Sequence, residues 1–128
     1  MAINSRAKGN RGEREVAKIF RDALGGTWER KSMGIPGPDL LCPPSFRFAV
    51  EVKHDKRIKA LHTYTGSAVL TQYWKQADAQ ADALDLSPLL ICKIEGKWLC
   101  SDGIGRWELL ETWIQGYKKM IQAGIYPT

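Results

Sequence analysis

One stretch restricts the folds open to this chain more than any other. It runs from Gly37-Pro38-Asp39-Leu40-Leu41 through the turn-forming Cys42-Pro43-Pro44-Ser45 to Phe46-Arg47-Phe48-Ala49-Val50-Glu51-Val52-Lys53. Its last part alternates, with Phe48, Val50 and Val52 on one face of a strand and Arg47, Ala49, Glu51 and Lys53 on the other. A tight antiparallel hairpin between the two halves is the economical arrangement, and it returns Asp39 to the side of Glu51. Two carboxylates and an ammonium then converge on one sheet surface. Adjacent carboxylates are costly to ionise together unless a cation lies between them. Oxygen ligands alone suit Mg²⁺ or Mn²⁺. An ion-pair network on a surface sheet is the competing structural reading, and spacing alone leaves both open.

The wider pattern separates them. Pro38, Asp39, Glu51 and Lys53, in that order, resemble the PD-(D/E)XK nuclease signature. Lys8-Gly9-x-x-Gly12-Glu13-Arg14-Glu15 opens an N-terminal helix, and Trp74-Lys75-Gln76-Ala77 sits on a later one. Together these resemble the archaeal-type Holliday junction resolvases and their small phage-encoded relatives, over roughly residues 5–95. The resemblance implies that Asp39, Glu51 and the backbone carbonyl of Val52 hold Mg²⁺, for which Mn²⁺ can substitute. It makes Lys53 the residue that orients water or stabilises charge at the phosphorus. Glu13 would reach the metal directly or through water. Gln76, rather than Gln72 one turn earlier, would orient the attacking water or bind phosphate.

Composition agrees with a folded intracellular domain. The chain has 128 residues, 44% of them hydrophobic, and five tryptophans, enough for one domain with a real core. No run approaches about 18 consecutive apolar residues, so no membrane span is expected. The first residues carry no apolar signal segment. The three cysteines, Cys42, Cys92 and Cys100, lack zinc-ligand spacing and are expected as reduced, mostly buried thiols. The implied location is the cytoplasm of a bacterium or a phage-infected host.

The net charge of +5 is modest, but its distribution is uneven. Residues 1–31 carry eight cations against four carboxylates, and Lys53, Lys56, Arg57 and Lys59 follow directly on the central strand. Basic groups on both sides of an acidic site suit a polyanion whose phosphates must approach metal ligands. Arg6, Lys8, Arg11, Arg14, Lys56, Arg57, Lys59 and Lys75 are the candidate DNA contacts. Ser32, in the Gly- and Pro-rich loop before Asp39, either touches phosphate or belongs to an ordinary connection.

In chain order, a polar and mobile segment 1–10 precedes a helix over about 11–24, stopped by Gly25-Gly26. Val16, Ala17, Phe20 and Leu24 form its apolar stripe, and Glu13 extends that stripe by one turn. Residues 27–31 read as a strand, and 58–66 have no clear period; in a nuclease this segment would border the DNA groove, where Tyr64 either stacks or packs, packing being the expectation. His54 and His62 are expected as ordinary surface histidines. Ser67 is the predicted N-cap of a helix to about Leu84, with Leu70, Tyr73, Trp74, Ala77, Ala81 and Leu84 buried. The apolar run 88–94 is an interior strand, Glu95-Gly96 turns into another over 97–100, and a last helix covers about 107–123.

The expected fold class is α/β, a restriction-endonuclease-like core (αβββαβ) with a central mixed sheet flanked by helices, plus a C-terminal hairpin and helix. One domain spans 1–128, its core about 11–95 and the addition 96–128. Three functions remain: a structure-selective endonuclease on branched DNA, a nuclease on duplex or single-stranded DNA, and a DNA-binding module without catalysis. A homodimer is expected, with Trp98, Trp107 and Trp113 serving either its interface or the core.

Overall fold

The computed structural model describes residues 5–32, 34–103 and 106–126, with side chains from Arg11 onward. Among the described residues, four helices and six strands follow one another in the order α1 (Ser5–Leu24), β1 (Glu29–Arg30), β2 (Leu40–Leu41), β3 (Phe48–Lys53), α2 (His62–Thr65), α3 (Ala68–Ala83), β4 (Ser87–Ile94), β5 (Lys97–Ser101), β6 (Glu108–Leu109) and α4 (Leu110–Gln122). The mixed α/β class with a helix-flanked central sheet is as expected. Helix α1 begins at Ser5, so residues 5–10 are part of it and not a polar lead-in.

The main sheet has the order β3-β4-β5-β6. β3 and β4 are parallel, which requires a crossover, and α3 provides it. β4, β5 and β6 continue antiparallel. Strand alternation then distributes the core. Phe48, Val50, Val52, Leu89 and Ile91 face α1 and α4, where they meet Val16, Phe20, Trp28 and Trp113. Leu90, Cys92 and Ile94 face α3 and meet Leu70 and Ala77. The first cluster is dense in rings: Phe20 stacks on Trp28 at 4.5 Å, and Phe46 meets both edge-on. Trp113 is core, stacked on Tyr117, so it is not a free dimer surface. All three thiols are free and none is exposed.

The expected hairpin takes a different form. β2 pairs antiparallel with β1 in a separate two-stranded sheet, not with β3. Asp39 explains the break. Its N–H donates to the Val50 carbonyl at 2.9 Å, as a ladder partner would. Its side-chain Oδ2 then accepts the Val52 N–H at 2.7 Å. A carboxylate thus stands where the next backbone carbonyl would be, and the ladder ends there.

Three further boundaries moved. The predicted strand over 27–31 is only Glu29–Arg30. The last helix starts at Leu110, because Glu108 and Leu109 pair with β5 first. The aperiodic stretch 58–66 contains the short helix α2. Ser67 caps α3 as predicted, accepting from the Leu70 N–H at 3.1 Å. Leu84, expected in the buried stripe, is 50% exposed at the C-cap.

Candidate active site

The site forms where the open edge of β3 meets Asp39. The N–H and C=O of one strand residue project from the same edge, so Val52 carries its carbonyl toward Asp39 together with its amide. Glu51 points to the opposite face from Val50 and Val52, beneath α3, and is completely buried. Neither Glu51 oxygen has a hydrogen-bond donor. Burial, and then the negative charge of Asp39, push its pKa up to about 8, against the opposing pull of Lys53 and Lys31.

Glu13 arrives from α1. Gly12 makes the approach possible: a β-carbon there would lie 3.2 Å from the Trp98 ring and 3.9 Å from Val52. A glycine inside a helix costs about 1 kcal/mol relative to alanine, and here it brings α1 close to the C-terminal end of β3. Glu13 is half-buried, its pKa raised by burial and by Asp39 and lowered by Arg30, Lys31 and Lys53. Three carboxyl groups therefore share one electrostatic environment with three cations. Among the described residues, however, no three carboxylate, histidine or cysteine side chains are grouped tightly enough to hold a metal between them. Glu13 is near the Asp39–Glu51 pair without joining it in a three-ligand cluster.

Lys53 leaves β3 on the α3 side, with its ammonium 4.9 Å above the Tyr73 ring, a cation–π contact. Tyr73 donates its hydroxyl to Asp55 Oδ2 at 2.7 Å. Asp55 is also gripped by Arg57, from Nε at 3.0 Å, Nη2 at 2.6 Å and the backbone N–H at 2.9 Å. Lys31 donates to the Gly37 carbonyl, which ties the loop before Asp39 to β1.

Of the residues singled out in the sequence, Asp39, Glu51, Lys53 and Glu13 lie within one another's electrostatic reach, with Glu13 apart from the Asp39–Glu51 pair. Sequence reading did not single out Lys31, Arg30 or Tyr73. Lys31 is at the end of β1, and only the β1–β2 pairing carries it to Asp39. Tyr73 belongs to the predicted apolar stripe of α3, which gave no sign that its ring would support Lys53. Gln76 and Gln72 are both exposed on α3 and take no part in the contacts above. Gln80, two turns beyond Tyr73, is half-buried and has an Oε1 without a donor. Among the candidate phosphate contacts, Arg11, Arg14, Ser32, Lys56, Arg57, Lys59 and Lys75 are exposed, with Arg57 engaged by Asp55. The side chains of Arg6 and Lys8 lie outside the described residues.

The donor set fits a divalent cation. Two carboxylates, one of them buried with both oxygens unsatisfied, need positive charge nearby, and Lys53 and Lys31 leave the Glu51 pKa high. Asp39, Glu51 and the Val52 carbonyl are oxygen donors of the kind that Mg²⁺ and Mn²⁺ take.

Residues 4–101 match the family described as "Phage putative PDDEXK endonuclease". Protein D14 of Escherichia phage T5 is 33% identical over 114 residues, an alignment covering 77% of this chain and 71% of that protein. No helix among the described residues is long and apolar enough to cross a membrane. The family match takes in every element from α1 to β5, and so all of those that converge on Glu51. On that evidence the chain belongs to the phage PDDEXK endonuclease family and is a nuclease of the PD-(D/E)XK type.

Proposed function

We propose that this nuclease is a divalent-metal-dependent endodeoxyribonuclease that cuts DNA phosphodiester bonds, with branched DNA as its preferred substrate. The observation that carries the chemistry is the Glu51 carboxylate, fully buried, without a donor and beside Asp39. A buried carboxylate in that state is costly to the fold unless a cation joins it. Asp39, Glu51 and the Val52 carbonyl would hold Mg²⁺ or Mn²⁺. When bound, such an ion polarises the phosphoryl group and lowers the pKa of a water molecule.

The chain's own residues do the rest. Tyr73 fixes the Lys53 ammonium beside the carboxylate pair, where it orients the attacking water and offsets the charge that grows on the phosphoryl oxygens. Glu13, with its pKa raised, accepts or returns a proton at the edge of the site. The exposed cations on α1 and after β3 approach the phosphates on either side. The intact set of Asp39, Glu51 and Lys53 disfavours a module that only binds DNA.

Branched DNA rests on the resemblance to the junction resolvases. Resolution needs two symmetric cuts, so the chain would act as a two-fold dimer. Of the three tryptophans considered for such an interface, Trp98 and Trp107 are half-buried and Trp113 is in the core. The test is cleavage of labelled four-way junction, flap, duplex and single-stranded DNA with Mg²⁺, with Mn²⁺ and with EDTA, alongside light scattering with and without junction. Metal-dependent cleavage, fastest on the junction and by a dimer, is the expected result. A strict monomer that nicks junctions no faster than linear duplex would remove the branched substrate and leave a general DNA nuclease. Cleavage undiminished in EDTA would remove the metal.

A further inference from the structure

The segment leaving the catalytic strand is held firmly yet presents an aromatic ring to solvent. Ile58 anchors it in the α3-side core at 2% exposure. Asp55 binds Arg57 and Tyr73, the Ala60 N–H donates to Glu95 Oε2 at 2.7 Å, and the Lys59 N–H donates to His62 Nδ1 at 2.9 Å. Glu95 reaches Ala60 from a left-handed backbone position at φ +48°, a conformation uncommon outside glycine. None of these contacts uses the Tyr64 side chain, which is 90% exposed, with Leu61 one turn away at 65%. The expectation that Tyr64 packs against the body was wrong. An exposed aromatic on a rigid support suits a surface that something else completes.

An open groove of about 400 Å³ is lined by Tyr64, Trp74 and Trp107 together with Thr63, Thr71 and Ser101. That volume is in the range of about 300–1,000 Å³ typical of small-ligand sites. Trp74 is braced from below: Gly103, at φ +102°, allows the backbone so close that a β-carbon would lie 3.1 Å from the indole. The lining holds no carboxylate, and exposed Lys56 and Lys59 precede it in the chain. Flat apolar faces and lining hydroxyls match a nucleobase, and the two exposed lysines earlier in the same segment suit the phosphates that come with it. The groove and the active centre draw on the same turn of α3, where Trp74 lines the groove and the preceding Tyr73 supports Lys53 with its ring.

We infer that the groove between Tyr64, Trp74 and Trp107 receives an unpaired nucleobase of the DNA being cut, with Tyr64 stacking on it as it leaves the duplex. This rests on the nuclease reading above. It makes Tyr64 a determinant of substrate choice and gives the enzyme a preference for DNA with an unstacked base near the scissile bond.

The experiment uses the full chain in EDTA with DNA duplexes carrying one 2-aminopurine, either fully paired or in a single-base bulge. The wild type binds the bulged duplex more tightly, and binding changes the aminopurine fluorescence. Tyr64→Ala weakens bulge binding about 5- to 100-fold and leaves the paired duplex within about twofold, while Tyr64→Phe behaves as wild type. At 90% exposure the truncation removes no packing, so the fold is not at issue. Equal affinity of Tyr64→Ala and wild type for the bulge, or equal loss on both duplexes, overturns the inference. Unchanged DNA binding together with a Tyr64-dependent change in self-association overturns it in favour of a protein interface. Cleavage with Mg²⁺ or Mn²⁺ is scored separately. Failure to cut any DNA refutes the nuclease reading, whereas the aminopurine signal, read without cleavage, still decides the groove.

Discussion

Glu51 and Asp55 lie four residues apart where β3 leaves the sheet, and their surroundings treat them in opposite ways. Glu51 is buried beneath α3 with no donor to either oxygen and a pKa pushed up to about 8. Asp55 receives donors from the Arg57 guanidinium, the Arg57 backbone and the Tyr73 hydroxyl, and those bonds hold its pKa far below the ordinary value. Both carboxylates are close to cations, so nearby charge alone does not separate them. Satisfied oxygens do. Asp55 has its partners within the chain and fastens the segment that follows. Glu51 lacks them, and an external cation is what would complete it.

The largest effect tests that contrast at the level of chemistry. Glu51→Gln should lower DNA cleavage by about 100-fold or more, since disturbing even the outer contacts of a metal site costs ~10–100-fold. Asp39→Asn and Lys53→Ala should do the same, but only the carboxylate changes should weaken Mn²⁺ binding, read by calorimetry. Asp55→Asn should stay within about tenfold of wild type. Equal losses for Glu51→Gln and Asp55→Asn would erase the distinction.

Proton linkage sharpens it. The folded pKa of Glu51 lies above its unfolded value near 4.5, so its contribution to stability is complete below that pH and is lost as pH rises through about 8. Without metal, urea midpoints should therefore fall across this window, and Glu51→Gln should flatten the slope. Mn²⁺ should restore stability at the alkaline end, because binding requires the deprotonated form. Asp55 works in reverse: its folded pKa is depressed, so its contribution is present above an unfolded value near 3.8 and is lost as pH falls below it. Asp55→Asn should blunt the acid limb and leave the alkaline one alone.

Smaller effects probe the link between the two. Tyr73→Phe keeps the ring beneath Lys53 and removes only the donor to Asp55, so a stability loss of about 1 kcal/mol with most activity retained is expected. A large activity loss would mean that the hydroxyl, and not the ring, positions Lys53. Smallest of all, Lys56→Gln or Lys59→Gln should reduce the log–log salt slope of DNA binding by about 0.9 each, alike for all sequences. Arg57, already engaged by Asp55, should change it less.

Much of this was legible along the chain because the signals are local. Alternation over 46–53 marked β3, the apolar run 88–94 marked the interior β4, Ser67 marked the start of α3, and Glu95-Gly96 marked the turn into β5. The order of Glu13, Asp39, Glu51 and Lys53 was enough to point to a nuclease. What pairs with a two-residue strand is not local. β2 joined β1 because Asp39 used its own carboxylate, and not the next carbonyl, to satisfy Val52, a choice among hydrogen-bond partners that exists only once β3 is in the sheet. Periodicity placed Glu51 on a face, but the packing of α3 over that face made it fully buried and raised its pKa. Tyr64 lies in a segment without a period, where stacking and packing were both open and packing was expected. Contacts at Ile58, Ala60 and Asp55 secured its segment without it, and tertiary structure left its ring in water.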